Sequence, residues 1–272
     1  MVKLELIEFA DFTHPEEIVA EIFRQNPRMD LPVPLDEIAK AAGIVEIRHQ
    51  PLASLEGGLV ANAEKTEGAI LINSKSLPLQ RQRFTLGHEL GHFMLPKHNH
   101  HMECLSRDLH MSSYSGGLTD SQRVEVEANE FAAELLMPRQ YFTTHPDCPQ
   151  TPDCKAIAHL AERFDVSFKA CVYRYQDLCL LPLGLVFSRN GEVTAVRRNK
   201  ALRFWMQTDK GAALPNHLGQ KIQAMTANSV YRQESATDLW FDTSRATNPP
   251  DSVMEETFLQ ENGYATTLLW FE

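Results

Sequence analysis

Two histidines four residues apart, with a glutamate beside the first, constrain this 272-residue chain more than any other feature: His88-Glu89-Leu90-Gly91-His92. The segment lies in a stretch of helical periodicity, where Phe84, His88, His92 and Leu95 recur on one face. Ser76 precedes Leu77-Pro78 as an expected N-cap, and Pro96 cannot continue the hydrogen-bond ladder, so the spacing predicts a helix between them. On a helix an i, i+4 pair stacks on one side, and both imidazoles converge on a single cation such as Zn²⁺. Glu89 is offset by one residue and reaches a water on that cation. Zinc lowers the pKa of its bound water toward about 7, so a neighbouring carboxylate can take the proton at neutral pH.

A catalytic zinc usually takes three protein ligands and leaves one position for water, so the pentapeptide needs help from elsewhere in the chain. His98 lies at the spacing of the third histidine in H-E-x-x-H-x-x-G-x-x-H. That pattern turns the chain with glycine, whereas here Leu95 and Pro96 occupy the turn. The other candidate is a later helix, capped by Thr119 or Asp120 and stopped by Pro138, with Val124, Ala128, Phe131 and Leu135 as its apolar stripe. Glu125 and Asn129 share one of its faces, so Glu125 can ligate while Asn129 hydrogen-bonds a metal histidine or its carboxylate from behind. Ala128, Ala132 and Ala133 permit close approach of two helices, and Glu127 points roughly 200° away from Glu125 at about 3.6 residues per turn. Glu125 is the preferred third ligand, with His98 as its alternative.

Together, Arg83 to His92 (RFTLGHELGH) and Glu125 to Pro138 (EVEANEFAAELLMP) resemble the signature of the ImmA/IrrE family of bacterial zinc metallopeptidases. The resemblance extends over roughly residues 30–180, including Leu35 to Ile44 (LDEIAKAAGI) and Ile157 to Ser167 (IAHLAERFDVS). It implies a gluzincin-like domain in which His88, His92 and Glu125 hold Zn²⁺ and Glu89 is the catalytic base. It further implies a protein substrate, a helix-turn-helix repressor or antitoxin whose cleavage relieves repression of stress, mobile-element or toxin–antitoxin genes. Residues after about 181 match nothing in that pattern. A rival reading keeps the zinc fold as the scaffold of a regulatory or sensor protein that cleaves nothing, although such a scaffold need not retain Glu89.

The rest of the chain fits an α+β protein of two parts: a peptidase domain over residues 1–180, with a small mixed sheet and active-site helices, and a smaller α+β domain over 181–272. Helices are expected to open at His14-Pro15 and to run over 35–42, 155–164, 167–178 and 217–227. Strands are expected at 45–49, 58–63, 69–73, 184–188, 192–197, 238–242 and 265–271, with Asn190-Gly191 as a tight hairpin. The strand at 69–73 is read as an edge to which an extended peptide can add. Residues 97–118 read as a long His-, Ser- and Gly-rich loop, from which His110 or Tyr114 supplies a donor to the developing oxyanion. A helix-turn-helix-like pattern at 157–178 is assigned to the peptidase core, since few cations accompany it. The net charge of −10 argues against broad contact with phosphate backbone, so direct DNA binding is not expected, and the cations Arg197, Arg198, Lys200 and Arg203 read as a solvated turn. Five cysteines without a C-x-x-C pair suggest neither a disulfide framework nor a zinc knuckle. With no apolar run of about 20 residues and no leader-like N-terminus, a cytoplasmic, membrane-free location is expected.

Overall fold

Helix boundaries follow local chemistry in this computed structural model, which describes residues 1–111, 117–244 and 248–271. The elements up to residue 144 are α1 (Pro15–Gln25), α2 (Leu35–Ala42), β1 (Ile44–Gln50), β2 (Leu55–Ala61), β3 (Gly68–Asn73), α3 (Leu79–Met94), β4 (His101–Leu105), α4 (Asp120–Leu136) and α5 (Arg139–Thr144). Pro15 at the first turn of α1 and Gly43 in a left-handed conformation after α2 mark their ends. Thr119 caps α4: its hydroxyl accepts from the Gln122 amide, and the Gln122 side chain accepts from the Thr119 amide at 2.9 Å. α3 starts at Leu79, after Pro78 rather than at Ser76, because Pro78 itself sits in extended backbone as the N-cap.

Two compact units divide the chain, one comprising Met1–His145 and Ala161–Ala170, the other Pro146–Leu160 and Cys171–Glu272. In the first, the sheet order is β1-β3-β2-β4, with β1 parallel to β3 and the other pairs antiparallel. It is the small mixed sheet of an α+β fold. β3 is therefore interior, hydrogen-bonded on both sides, and not the edge expected from sequence; Ile70 and Ile72 are buried, which an exposed edge would not favour. The loop expected over 97–118 contains β4, which forms the edge beside β2. α3 packs on β2 and β3, and α4 packs on α3 and α1.

The remaining elements are α6 (Cys154–Phe164), α7 (Phe168–Leu178), β5 (Leu183–Arg189), β6 (Glu192–Arg198), β7 (Trp205–Met206), α8 (Asn216–Ala224), β8 (Ser229–Ala236), β9 (Phe241–Asp242), β10 (Ser252–Leu259) and β11 (Tyr264–Trp270). The second unit contains an antiparallel sheet ordered β6-β5-β11-β10-β8. Asn190 and Gly191 both take positive φ at the β5–β6 turn, as a tight hairpin requires. Leu218 and Ile222 of α8 join Trp240, Phe241, Val253 and Leu269 in its core. Glu255 is buried on the same strand face as Val253, and its carboxylate accepts from Trp240 Nε1 at 2.8 Å, Ser235 Oγ at 2.7 Å and Gln233 Nε2 at 3.1 Å, with His217 Nε2 also at 3.1 Å. Of the cationic turn, Arg197 pairs with Asp177 at 3.2 Å and Arg198 lies over the Trp205 ring at 4.0 Å. Among the described residues no helix is long and apolar enough to cross a membrane.

Candidate metal centre

Glycines bring the two central helices together. A Cβ at Gly91 of α3 would lie 3.1 Å from the Phe131 ring, and one at Gly87 would lie 3.3 Å from Ala132 Cβ, both tighter than ordinary contact. With no side chain at these positions α4 approaches closely, and Glu125 reaches the histidines of α3. Arg83 anchors the start of α3: its guanidinium lies 3.2 Å from the Asp165 carboxylate and donates to the Val33 carbonyl at 3.0 Å.

Four groups converge in this gap. The Nε2 atoms of His88 and His92 are 3.0 Å apart, and Glu125 Oε2 lies 3.2 Å from the first and 3.5 Å from the second. Cys104 Sγ, carried in by β4, lies 3.3 Å from His88 Nε2, 3.6 Å from His92 Nε2 and 4.0 Å from Glu125 Oε2. All four ligand atoms lie within 4.8 Å of one another. Both histidines and Cys104 are fully buried.

Electrostatics favour a cation here. Burial pushes the His92 imidazole down to about 4, so it is neutral at physiological pH with a lone pair to offer. Burial pushes the Glu125 carboxyl up, but bonds with His88 and His92 outweigh it and hold the group at about 2, so it is anionic. Burial, reinforced by the carboxylates of Glu89 and Glu125, raises the Cys104 thiol far above its usual range. Two imidazole nitrogens facing each other at 3.0 Å set lone pair against lone pair unless a proton or a cation lies between them. Two imidazoles, a carboxylate and a thiol around one point fit a metal ion.

The side chains behind the ligands fix their orientation. His88 Nδ1 donates to Asn129 Oδ1 at 2.8 Å, leaving Nε2 free to face the centre, and Asn129 Nδ2 donates in turn to the Asp108 and Met111 carbonyls at 2.7 and 3.1 Å. His92 Nδ1 meets His98 Nδ1 at 2.9 Å, and His98 Nε2 meets Glu127 Oε2 at 3.0 Å. If His92 Nε2 is the ligating atom, its Nδ1–H donates to His98, which donates onward to the carboxylate. His98 therefore sits on the far side of His92 from the converging atoms. Lys65 Nζ donates to the carbonyls of His92, Leu95 and His98 at 2.8, 2.5 and 3.2 Å, satisfying the C-terminal end of α3 with a positive charge.

Glu89 differs from all of these. It is fully buried, and among the described residues neither carboxylate oxygen has a nitrogen or oxygen hydrogen-bond partner, the Cys104 thiol being its hydrogen-bonding neighbour. Burial pushes its pKa up to about 7, opposed by His88 and by a hydrogen bond from Cys104, with Glu125 adding to the rise. Gly57 of β2 makes room for it: a Cβ there would lie 2.6 Å from Glu89 Oε1. A buried carboxyl poised near neutrality beside a cation site has the pKa of a general base.

Of the residues expected to help an oxyanion, His110 is exposed at the end of the turn Asp108–His110 and is not among the four converging groups. Tyr114 lies outside the described residues. Sequence reading missed three participants. Cys104 and its strand were hidden in a stretch taken as loop, although His101-Met102-Glu103-Cys104-Leu105 alternates polar and apolar residues. Glu127 looked too far round its helix to matter, yet it meets His98 across the gap. Lys65 carried no sequence signal, because its partners are backbone carbonyls 27 to 33 residues away.

Comparison with known proteins follows the same stretch of chain. A peptidase family described as the IrrE N-terminal-like domain matches residues 39–176. The radiation response metalloprotease IrrE of Deinococcus radiodurans is 32% identical over 139 residues, 51% of this chain and 39% of that protein. Its counterpart from Deinococcus deserti is 40% identical over 117 residues, 42% of this chain and 38% of the relative. The matched region thus spans about two fifths of the length of these relatives. A solved Mycobacterium tuberculosis transcriptional regulator superposes over 94% of this chain and 75% of its own, with a TM-score of 0.59 at 14% identity, a likeness of fold alone.

Proposed function

Because the chain belongs to the family of the IrrE N-terminal-like domain, we propose that it is a zinc-dependent endopeptidase, with His88, His92 and Glu125 as the metal ligands and Glu89 as the base. One observation carries this reading: a buried carboxyl near pKa 7, with no nitrogen or oxygen partner among the described residues, stands beside two imidazoles and an anionic carboxylate that converge on one point. Nitrogen, oxygen and sulfur donors around a small buried point suit zinc better than magnesium or calcium, which prefer all-oxygen sites.

Bound there, Zn²⁺ would polarise a peptide carbonyl and acidify water. Glu89 takes the proton of the attacking water and passes it to the leaving amine, a double use that a carboxyl titrating near 7 suits. Asn129 and the His98–Glu127 pair keep His88 and His92 in the tautomers that present Nε2.

The substrate we assign is a helix-turn-helix repressor or an antitoxin, cleaved to relieve repression under stress. Support comes from the family resemblance and from the radiation response named for both Deinococcus relatives. Residues 1–180 are assigned to catalysis, and residues 181–272 to selecting that partner or sensing its trigger. Incubating the purified protein with the repressor encoded nearest to its gene tests the assignment. Wild type should cleave it in the presence of Zn²⁺ and Glu89→Gln should bind zinc without cleaving. Full complementation of the wild-type phenotype by Glu89→Gln would instead favour the scaffold reading.

A further inference from the structure

Cys104 has no part in the hydrolysis derived above, yet its sulfur lies closer to both histidine nitrogens than Glu125 lies to the sulfur. Zinc bonds of about 2.0–2.1 Å to nitrogen and about 2.3 Å to sulfur, set at tetrahedral angles, place nitrogen and sulfur about 3.6 Å apart. The observed separations are 3.3 and 3.6 Å. Buried cysteines that only fill space are surrounded by apolar atoms, whereas the atoms around this one are the ligating atoms of three other side chains.

We propose that Cys104 is a fourth protein ligand, completing a Cys-His-His-Glu set and occupying the position that hydrolysis requires for water. The inference rests on the metal-site reading given above. Structural zinc sites are closed by four protein ligands and catalytic ones keep a position open, so the arrangement is a resting, latent form of the centre. The carrier of the thiolate suits a removable ligand. β4 is a five-residue strand at the sheet edge, paired among the described residues only with β2, and the register between the two shifts beside Gly57, the partner of Cys104. Few hydrogen bonds hold such an element, so it opens at lower cost than an interior strand. On opening, the Cys104 thiolate leaves the ion and takes up one proton, and one water takes its place. No oxidant is needed.

The test uses the full chain loaded with zinc, as wild type, Cys104→Ser and Cys104→Ala. X-ray absorption at the zinc edge of wild type should show one sulfur at about 2.3 Å, absent from both variants. Loaded with Co²⁺, wild type should show a thiolate charge-transfer band that both variants lack. Acetohydroxamate, a small chelating ligand, should bind the zinc-loaded Cys104→Ala protein at least about tenfold more tightly than wild type, because it no longer displaces a protein ligand. A wild-type zinc signal made of nitrogen and oxygen alone would overturn the proposal and leave the three-ligand site standing. Failure of wild type and both variants to take up metal would overturn the site itself. Should Cys104→Ser misfold, Cys104→Ala, with its zinc stoichiometry measured alongside, decides the question.

Discussion

Glu89 and Glu255 are both fully buried glutamates, one in each compact unit, and their surroundings are opposite. Glu255 lies on a core-facing position of β10 among four hydrogen-bonding side chains, and every one of them directs a ring nitrogen, an amide or a hydroxyl at its oxygens. Glu89 has no nitrogen or oxygen partner among the described residues, and burial pushes its carboxyl up to about 7. A buried charge costs several kcal/mol unless it is paired or hydrogen-bonded. Satisfied in full, it locks its neighbours into one arrangement; left unsatisfied, it is a strain that survives where chemistry uses it. The contrast fits a structural role for Glu255 and the catalytic role proposed for Glu89.

The largest test of that contrast is Glu89→Gln, which should lower cleavage of a protein substrate by roughly 10²–10⁴-fold, the usual worth of a general base, with no loss of folding stability. A variant that unfolds more easily than wild type would show that Glu89 has a structural role after all. Glu255→Ala should do the reverse: it strands four polar groups and should cost about 3–5 kcal/mol, measured by urea unfolding followed at Trp240 and its neighbours. An effect under about 1 kcal/mol would mean the network contributes little.

The pH dependence of the metal-free protein sharpens the comparison. Burial pushes the Glu89 carboxyl up to about 7 in the fold from its ordinary 4.5, so the unfolded chain releases its proton first as pH rises. Its contribution to stability is present in full below pH 4.5 and is lost as pH rises through about 7. Glu89→Gln should therefore match wild type near pH 4 and exceed it by up to about 3 kcal/mol at pH 8. A difference that stays constant with pH would contradict the raised pKa. The smallest effect concerns the support behind His92: His98→Ala or Glu127→Gln should weaken zinc affinity by about 10–100-fold, read by competition with a chelator, with the fold intact. Complete loss of metal in His98→Ala but not in Glu125→Ala would move the third ligand to His98.

Much of the centre was legible because it is written in local periodicity. The histidine spacing, the Glu125 to Asn129 spacing and the alanine-rich face of α4 each act within a turn or two of helix, where sequence distance and spatial distance agree. The strands β8 and β10 were not foreseen, and neither was β4. Short strands gain their stability from partners distant in sequence, so their own residues carry a weak signal. The β3 edge was misjudged for the same reason, since its second neighbour is contributed by a parallel pairing with β1.

By itself the sequence determined that two helices carry His88, His92, Glu89 and Glu125 in a metal-binding pattern, because helical geometry maps spacing onto faces. Only the tertiary structure decided what surrounds them. It brought Cys104 beside the two histidines and Glu125, put His98 and Glu127 behind His92, and gave Glu255 four hydrogen-bonding side chains but Glu89 no nitrogen or oxygen partner among the described residues. Those are facts about groups far apart in the chain, and burial and hydrogen-bond satisfaction exist only once the chain has closed around them.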